Sequence, residues 1–132
     1  MTKVLVDTSA CMAFTVRSDA RHREAVATFE RLAAEQATLV TSSYVLVETY
    51  ALLCRRIGLD AVASFREAML PLLDVVWVDR ELHEKSVDLW LKRKRRTLSL
   101  VDAVSFVLFT ELKLDAAFAF DSDFDEEGIP PA

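Results

Sequence analysis

The sequence predicts an α/β fold, a three-layer α/β/α sandwich around a central, mostly parallel sheet, in a single domain that spans residues 1–132. Short apolar runs alternate along the chain with longer amphipathic segments, which is the pattern of strands and helices in parallel α/β proteins. Just over half of the residues are hydrophobic, which excludes a disordered chain and supplies the side chains for one substantial core.

The first half of the chain predicts two strands and three helices. They follow in the order Lys3–Val6, Ser9–Val16, Asp19–Gln36, Thr38–Thr41 and Ser43–Ile57. The first strand is a short, continuous apolar run, as expected of a strand covered on both faces. In the second helix, apolar residues such as Phe29 and Leu32 recur every three or four positions and share one face. Ser42 or Ser43 can cap the third helix, and Gly58 ends it.

The second half predicts three helices and two strands. In chain order these elements are Ala61–Leu73, Val75–Val78, Arg80–Arg95, Leu100–Leu114 and Ala116–Phe120. Asp60, Asp79 and Ser99 precede the three helices and can cap their first turns. Pro71 bends or ends the first of these helices, because proline cannot continue the hydrogen-bond ladder.

Four acidic residues interrupt or end these apolar segments, at positions where a carboxylate is unusual. They are Asp7, Glu48, Asp102 and Asp121. Carboxylates are rarely buried unless they are paired or bound to a metal, because removing the charge from water is costly. The neighbours of Glu48 one helical turn away have apolar bodies, and no arginine lies within that turn. We therefore expect Glu48 to be buried and to need a partner from elsewhere, for which a metal ion is the simplest choice.

Topology predicts that three of the four acids meet. Sites in open parallel sheets form beyond the carboxyl ends of the strands. Asp7 and Asp121 each end a predicted strand, and Glu48 lies in the first half of the helix that follows another. Asp102 is harder to place, because two helices separate the third and fourth strands. It reaches the same edge only if helix Arg80–Arg95 lies across the end of the sheet.

Taken singly, three of these acids also have local interpretations. Asp7 can cap the helix that follows it. Asp102 lies three residues after Ser99, the spacing of a capping box, and for Asp102 alone a cap is the more common role. Asp121 can be a turn residue. These local roles stay open beside the shared site.

A site built from the four acids would offer only oxygen ligands, which suit hard cations such as Mg²⁺ or Mn²⁺. Such ions can activate a water molecule and stabilise the leaving oxygen of a phosphodiester. The hydroxyls of Thr8, Ser9 and Ser99 are near the acids in sequence and could orient them. His22 and His83 lie in charged, amphipathic helices and are interpreted as surface residues, which argues against Ser-His-Asp or Cys-His chemistry.

Composition argues against several other classes. The only glycines are Gly58 and Gly128, so the chain has neither a G-x-G-x-x-G motif nor a P-loop, and no nucleotide cofactor is expected. No apolar run approaches the roughly 18 residues of a membrane span. The N-terminus lacks the features of a secretory signal, and Cys11 and Cys54 are interpreted as reduced core thiols. A cytoplasmic protein is therefore expected.

Charge is segregated along the chain, whose net charge is -5. Five consecutive cations form a basic run, made of Lys92, Arg93, Lys94, Arg95 and Arg96. Cations stabilise the end of a helix, but five exceed that need, so contact with RNA phosphates and a solvated helix end are equally good interpretations. Acidic residues crowd the chain from Asp121 to Glu127, and they would weaken the approach of RNA if they fold near the site.

Four segments, in this order and spacing, resemble the signatures of PIN domains, in particular those of small, single-domain VapC-like toxins of bacteria and archaea. The segments are Val4-Leu5-Val6-Asp7-Thr8-Ser9, Val47-Glu48, Ser99-Leu100-Val101-Asp102-Ala103 and Ala119-Phe120-Asp121-Ser122-Asp123-Phe124. The resemblance runs from Lys3 to about Phe124, nearly the whole chain. It implies a parallel-sheet α/β/α fold and a ribonuclease that depends on Mg²⁺ or Mn²⁺.

The resemblance also implies residue roles and partners. The family's metal-binding acids map onto the same four carboxylates, and a further acid that many relatives carry maps onto Asp123. A homodimer is implied and, for a toxin, a cognate antitoxin whose tail blocks the active site. The segment before Ser99 is often basic in such proteins, as the basic run is here.

The leading hypothesis is therefore a metal-dependent endoribonuclease that hydrolyses RNA phosphodiester bonds, as the toxin of a type II toxin–antitoxin pair. A phosphatase of the haloacid dehalogenase type would need a second aspartate two residues after Asp7, where Ser9 stands. A receiver-like phospho-acceptor would need a lysine beside Asp121, which the sequence lacks. The alternative is a non-catalytic PIN-like module that binds RNA or protein, although such a module has no need of costly buried carboxylates.

Overall fold

A computed structural model of the protein describes residues 2–132, within which four strands form one sheet with every pairing parallel. The strands are β1 (Lys3–Val6), β2 (Thr38–Ser42), β3 (Asp74–Val76) and β4 (Ala116–Phe118). Their order across the sheet is β3-β2-β1-β4, so the first and last strands of the chain are neighbours. The predicted parallel sheet is confirmed.

Seven α-helices within the described residues connect and cover these strands. They are α1 (Thr8–Thr15), α2 (His22–Ala34), α3 (Ser43–Arg56), α4 (Leu59–Ala68), α5 (Arg80–Arg93), α6 (Leu100–Glu111) and α7 (Ser122–Glu126). As predicted, Ser42, Asp79 and Ser99 cap α3, α5 and α6 with their side chains. None of these seven helices is long and apolar enough to cross a membrane.

β1 shows that the sheet is covered on both faces. Val4 and Val6 belong to an apolar cluster with side chains of α1, α2, α3 and α4, whereas Leu5 belongs to a second cluster with side chains of α6 and α7. Successive side chains of a strand point to opposite faces, and all three are fully buried. The three-layer α/β/α sandwich is therefore confirmed.

Some boundaries around α4 differ from the prediction. The helix starts at Leu59, so Asp60 lies in its first turn and is not its cap. Gly58 takes the position before the helix with a φ of 135°, a conformation that suits glycine, and α3 ends there as predicted. Pro71 lies in a separate 3-10 helix, Leu70–Leu72, that precedes β3.

α7 forms where the sequence suggested only a turn. Asp121 caps it, because its Oδ1 atom accepts a hydrogen bond from the Asp123 N–H at 3.0 Å. Phe124 is buried against Phe106, with ring centres 5.1 Å apart. This long-range aromatic contact explains why so short a helix keeps its place, since a single turn is marginal by itself.

Three side chains lie elsewhere than expected. Burial raises the pKa of the Cys11 thiol to about 12, in line with a core thiol, but Cys54 is exposed and its predicted core position was wrong. His22 and His83 are half-buried and are not the free surface residues that were predicted. His22 Nδ1 lies 2.9 Å from a backbone carbonyl oxygen of α1, and His83 Nδ1 lies 2.6 Å from the Tyr44 hydroxyl.

Candidate active site

The carboxyl edge of the sheet carries an open cleft of about 430 Å³. Asp7, at the end of β1, and Asp121, after β4, line it from neighbouring parallel strands. Glu48 lines it from the second turn of α3, and Asp102 from the first turn of α6. The four acids singled out in the sequence thus share one cleft, including Asp102, whose position the topology left open.

Asp7 is almost fully buried, and Ser9 holds it in place. Asp7 Oδ2 accepts hydrogen bonds from the Ser9 hydroxyl at 2.8 Å and from the Ser9 N–H at 3.2 Å. The Ser9 hydroxyl also accepts a bond from the Phe120 N–H at 2.9 Å, which ties the start of α1 to the chain beside Asp121. Burial raises the pKa of Asp7 to about 6, although the bonds from Ser9 oppose the shift.

Asp102 belongs to the capping box of α6 and also lines the cleft. In the predicted capping box, the Ser99 hydroxyl accepts from the Asp102 N–H at 3.1 Å, and the Ser99 N–H donates to Asp102 Oδ2 at 3.3 Å. Burial, followed by the negative charge of Asp7, raises the pKa of Asp102 to about 7. The cleft therefore concentrates negative charge where water solvates it poorly.

Asp102, Asp121 and Asp123 form the tightest group of acids in the part of the chain that the structure describes. One carboxylate oxygen from each lies within 4.8 Å of the other two. The Asp123 N–H donates to Asp121 Oδ1, so the cap of α7 fixes these two acids relative to each other. Burial, and next the charge of Asp121, raises the pKa of Asp123. Asp7 and Glu48 line the cleft outside this group.

Glu48 is half-exposed, so the expectation that it is buried was wrong. Its apolar neighbour Leu52 lines the cleft and does not enclose the carboxylate, and the adjacent Val47 is 66% exposed. A helix face that lines an open cleft and a helix face that packs into a closed core can have the same apolar composition. The sequence pattern therefore could not distinguish the two.

The three hydroxyls that were expected to orient the acids behave differently. Ser9 bonds to Asp7 and Ser99 bonds to Asp102. Thr8 is buried where it borders the cleft, and its Oγ1 atom has no hydrogen-bond partner among residues 2–132. Buried hydroxyls are usually paired, so Thr8 is an exception, and its hydroxyl does not orient any of the acids in the described chain.

Two arginines to which the sequence pattern gave no role also line the cleft. The guanidinium carbon of Arg21 lies 5.4 Å from the centre of the Phe120 ring, and Arg21 pairs with Glu24 at 3.0 Å. Arg56 ends α3 and pairs with no acid in the described chain. The sequence does indicate that Arg56 lies on the same side of α3 as Glu48, because it follows Glu48 by eight positions and residues at that spacing share a helix face.

The basic run divides into two groups. Arg93 bonds to both carboxylate oxygens of Glu127, and Arg95 pairs with Glu126 and Glu127. The other cations of the run are exposed and pair with no acid of residues 2–132: Lys92, Lys94 and Arg96. The acidic stretch near the C-terminus therefore occupies two of the five cations.

The donor set of the cleft fits a hard divalent cation. Its candidate ligand atoms are carboxylate oxygens, which Mg²⁺ and Mn²⁺ prefer, and three of them already lie close together. The raised pKa values of Asp7 and Asp102 reflect desolvation and mutual repulsion, both of which a bound cation would relieve.

Comparison with known proteins gives one family match and two sequences of one named relative. A family model described as PIN domain matches residues 4–128. The 23S rRNA-specific endonuclease VapC20 of Mycobacterium tuberculosis is 35% identical over 128 residues, which is 96% of this chain and 95% of the relative. The sequences from strains CDC 1551 / Oshkosh and H37Rv match equally well.

Solved structures agree with this match. The crystal structure of Mycobacterium tuberculosis VapC20, described as a sarcin-ricin loop cleaving toxin, has a TM-score of 0.85 and 33% identity, with 98% of each chain covered. A chain of VapBC2 from Rickettsia felis, solved with a DNA fragment of its promoter, has a TM-score of 0.73. It is 13% identical, with 99% of this chain and 98% of that chain covered, and this likeness shows the fold alone.

Proposed function

Because this chain belongs to the PIN domain family, we propose that it is a metal-dependent endoribonuclease that hydrolyses RNA phosphodiester bonds. The observation that carries the proposal is the convergence of Asp7, Glu48, Asp102 and Asp121 on one cleft at the carboxyl edge of the sheet. The 35% identity to a 23S rRNA-specific endonuclease, over nearly the whole of both chains, supports the same reaction. In this proposal the protein is the toxin of a type II toxin–antitoxin pair.

Acids of the cleft, together with the adjacent Asp123, would hold the metal. Asp102, Asp121 and Asp123 supply the three closest oxygens, and Asp7 and Glu48 complete a site for Mg²⁺, with Mn²⁺ as a substitute. The bound ion supplies a water of lowered pKa and a positive partner for the phosphodiester oxygens. The carboxylates hold and orient these groups, and no histidine or cysteine of the chain is required.

Other groups of the cleft position the acids and the substrate. Ser9 and Ser99 fix two of the carboxylates through hydrogen bonds before any ligand arrives. Arg21 and Arg56 place positive charge in the same cleft, where the phosphates that flank the cleaved bond would need it. Charges that are already in place reduce the reorganisation that the reaction requires.

The names of the relatives support narrower proposals about substrate and partners. One relative is named for 23S rRNA and its structure for cleavage of the sarcin-ricin loop, so we propose structured ribosomal RNA as the substrate of this chain. The unpaired cations of the basic run, Lys92, Lys94 and Arg96, would contact its phosphates. A cognate antitoxin, a homodimer and a cytoplasmic location belong to the same proposal.

Cleavage of ribosomal RNA by the purified chain tests this function. The protein, free of any partner, is incubated with ribosomal RNA and Mg²⁺ or Mn²⁺, and the products are separated on a denaturing gel. Parallel samples contain EDTA or the Asp7→Asn variant. Asp88→Asn is the matched control, because it removes an exposed carboxylate of α5 that lies outside the cleft. We expect cleavage by the wild type and by Asp88→Asn, and none in the other samples.

The outcomes separate the two candidate functions. Cleavage that persists in EDTA or in Asp7→Asn would contradict the metal assignment. A folded protein that neither cleaves RNA nor binds Mn²⁺ would instead favour the non-catalytic module that binds RNA or protein.

A further inference from the structure

We propose that an ion-pair clamp between the end of α5 and α7 positions Asp121 and Asp123 in the metal site. The clamp consists of Arg93, Arg95, Glu126 and Glu127. This inference rests on the proposed function, because it gives these residues a supporting role in the same site. They are positioning residues, and the two arginines are not contacts for RNA.

Glu127 is the centre of the clamp. Arg93 reaches both of its carboxylate oxygens, at 2.7 and 3.2 Å, and Arg95 Nη2 lies 3.4 Å from its Oε1 atom. Arg95 Nη1 also bonds to Glu126. Only 14% of the Glu127 side chain and 27% of the Arg95 side chain are exposed. Isolated surface pairs contribute little to stability, but a partly buried network with a bidentate pair fixes geometry.

α7 needs such an anchor because it is short. Its five residues make little more than one turn, which is less than a stable isolated helix requires. Asp121 and Asp123 lie at its start, and Phe124 fixes its middle against Phe106. Apolar packing of Phe124, and of Ile129 just after the helix, holds one side of α7 against the core. Glu127 adds a charged attachment at the end of the helix, on the side that faces the end of α5.

Arg95 is a member of the clamp whose charge also acts on Asp123. Burial and the Asp121 charge raise the pKa of Asp123, whereas the Arg95 charge opposes that shift. Lys94 ends α5 in the left-handed conformation, with a φ of 53°, and turns the chain so that Arg95 faces α7. Thr97, two residues further on, already lines the cleft.

The rival interpretation is that Arg93 and Arg95 contact RNA and that the glutamates merely shield them. The two interpretations predict opposite effects of neutralising Glu126 and Glu127. Loss of a positioning clamp weakens metal binding. Release of two shielded arginines strengthens RNA binding and leaves the metal affinity unchanged.

The test measures Mn²⁺ affinity of the metal-free full chain by isothermal titration calorimetry. The variants are Glu126→Gln/Glu127→Gln and Arg93→Gln/Arg95→Gln. We expect each to bind Mn²⁺ about 10-fold more weakly than the wild type, the lower end of the range for losing a group that supports metal ligands. The matched control is Lys85→Gln/Glu111→Gln, which removes a 3.0 Å pair between α5 and α6 whose residues lie outside the cleft. It should leave the affinity unchanged.

Two further readouts complete the test. In the metal-free protein, hydrogen exchange at the amides of Glu127, Gly128 and Ile129, which bond within and just after α7, should accelerate in both clamp variants and not in the control. The KM for RNA of Glu126→Gln/Glu127→Gln should not fall. Unchanged Mn²⁺ affinity and exchange, or a lowered KM with unchanged metal affinity, would overturn the clamp. Failure of the wild type to bind Mn²⁺ would instead overturn the proposed function. In that case the hydrogen exchange rates of the amides after α7 would still test the clamp.

Discussion

At the scale of single residues, Asp7 and Asp102 carry charges that oppose folding of the metal-free protein. Burial raises the pKa of Asp7 to about 6, and burial with the Asp7 charge raises the pKa of Asp102 to about 7. A carboxyl group whose pKa is higher in the folded chain favours the fold while it is protonated. That contribution is lost as the pH rises from the unfolded pKa, near 4, through the folded pKa.

Replacing Asp7 with asparagine should remove the part of this pH dependence that Asp7 causes. In EDTA, the wild type should lose stability relative to Asp7→Asn between about pH 4 and about pH 6, by on the order of 3 kcal/mol. Urea unfolding at several pH values measures the difference between the two proteins. A difference that stays constant, or that grows in favour of the wild type, would contradict the assignment.

Ser9 should matter for stability because it serves two buried partners. In Ser9→Ala, the Phe120 N–H loses its acceptor and Asp7 loses a donor, so unfolding should become easier by about 1–3 kcal/mol. Ser64→Ala, on the exposed face of α4, should change stability by less than about 0.5 kcal/mol. Urea unfolding at neutral pH checks both, and equal effects in the two variants would argue against the Ser9 link.

At the scale of elements, the sequence pattern predicted the four strands and six of the seven helices of the described chain, because local periodicity and caps mark them. It missed α7, because Asp121-Ser122-Asp123 has the composition of a turn and the helix depends on the distant Phe106. The burial of Glu48 was misjudged for a similar reason. Composition marks an apolar helix face but does not show whether a core or a cleft lies against it.

Phe124→Ala tests the dependence of α7 on that distant contact. Removing a buried aromatic ring should lower the free energy of unfolding by about 3–5 kcal/mol. Phe109→Ala, in a half-buried residue of the same cluster, should cost less. Urea unfolding gives both values. Equal costs would show that Phe124 does not anchor α7 more than an ordinary neighbour would.

At the scale of the whole molecule, the net charge of -5 hides a local arrangement that suits RNA. Four acids of the proposed metal site line the cleft. Glu126 and Glu127 are paired with arginines of the basic run. Arg21 and Arg56 border the acids inside the same cleft. Net charge therefore says little about the partner of this protein, because the position of the cations decides it, and Arg56, beside the acids, pairs with no acid of residues 2–132.

Arg56→Gln should weaken RNA binding more than it affects the reaction itself. We expect KM for RNA to rise several-fold with little change in kcat, and the slope of log KM against log salt to fall by about 1, because one phosphate contact is lost. Arg66→Gln, exposed on α4 and outside the cleft, is the matched control. A steep fall in kcat with unchanged KM would assign Arg56 a different role.

The rate of ribosomal RNA cleavage as a function of Mn²⁺ concentration tests the central claim most directly, that the acids of the cleft form a metal-dependent nuclease site. For the wild type and Asp88→Asn, the rate should rise with Mn²⁺ and saturate. Loss of a group that only supports a metal ligand costs roughly 10- to 100-fold. For Asp102→Asn, which removes a proposed ligand itself, the cleavage rate should fall by more than that. Cleavage by the wild type without divalent metal, or by Asp102→Asn at the wild-type rate, would contradict the claim.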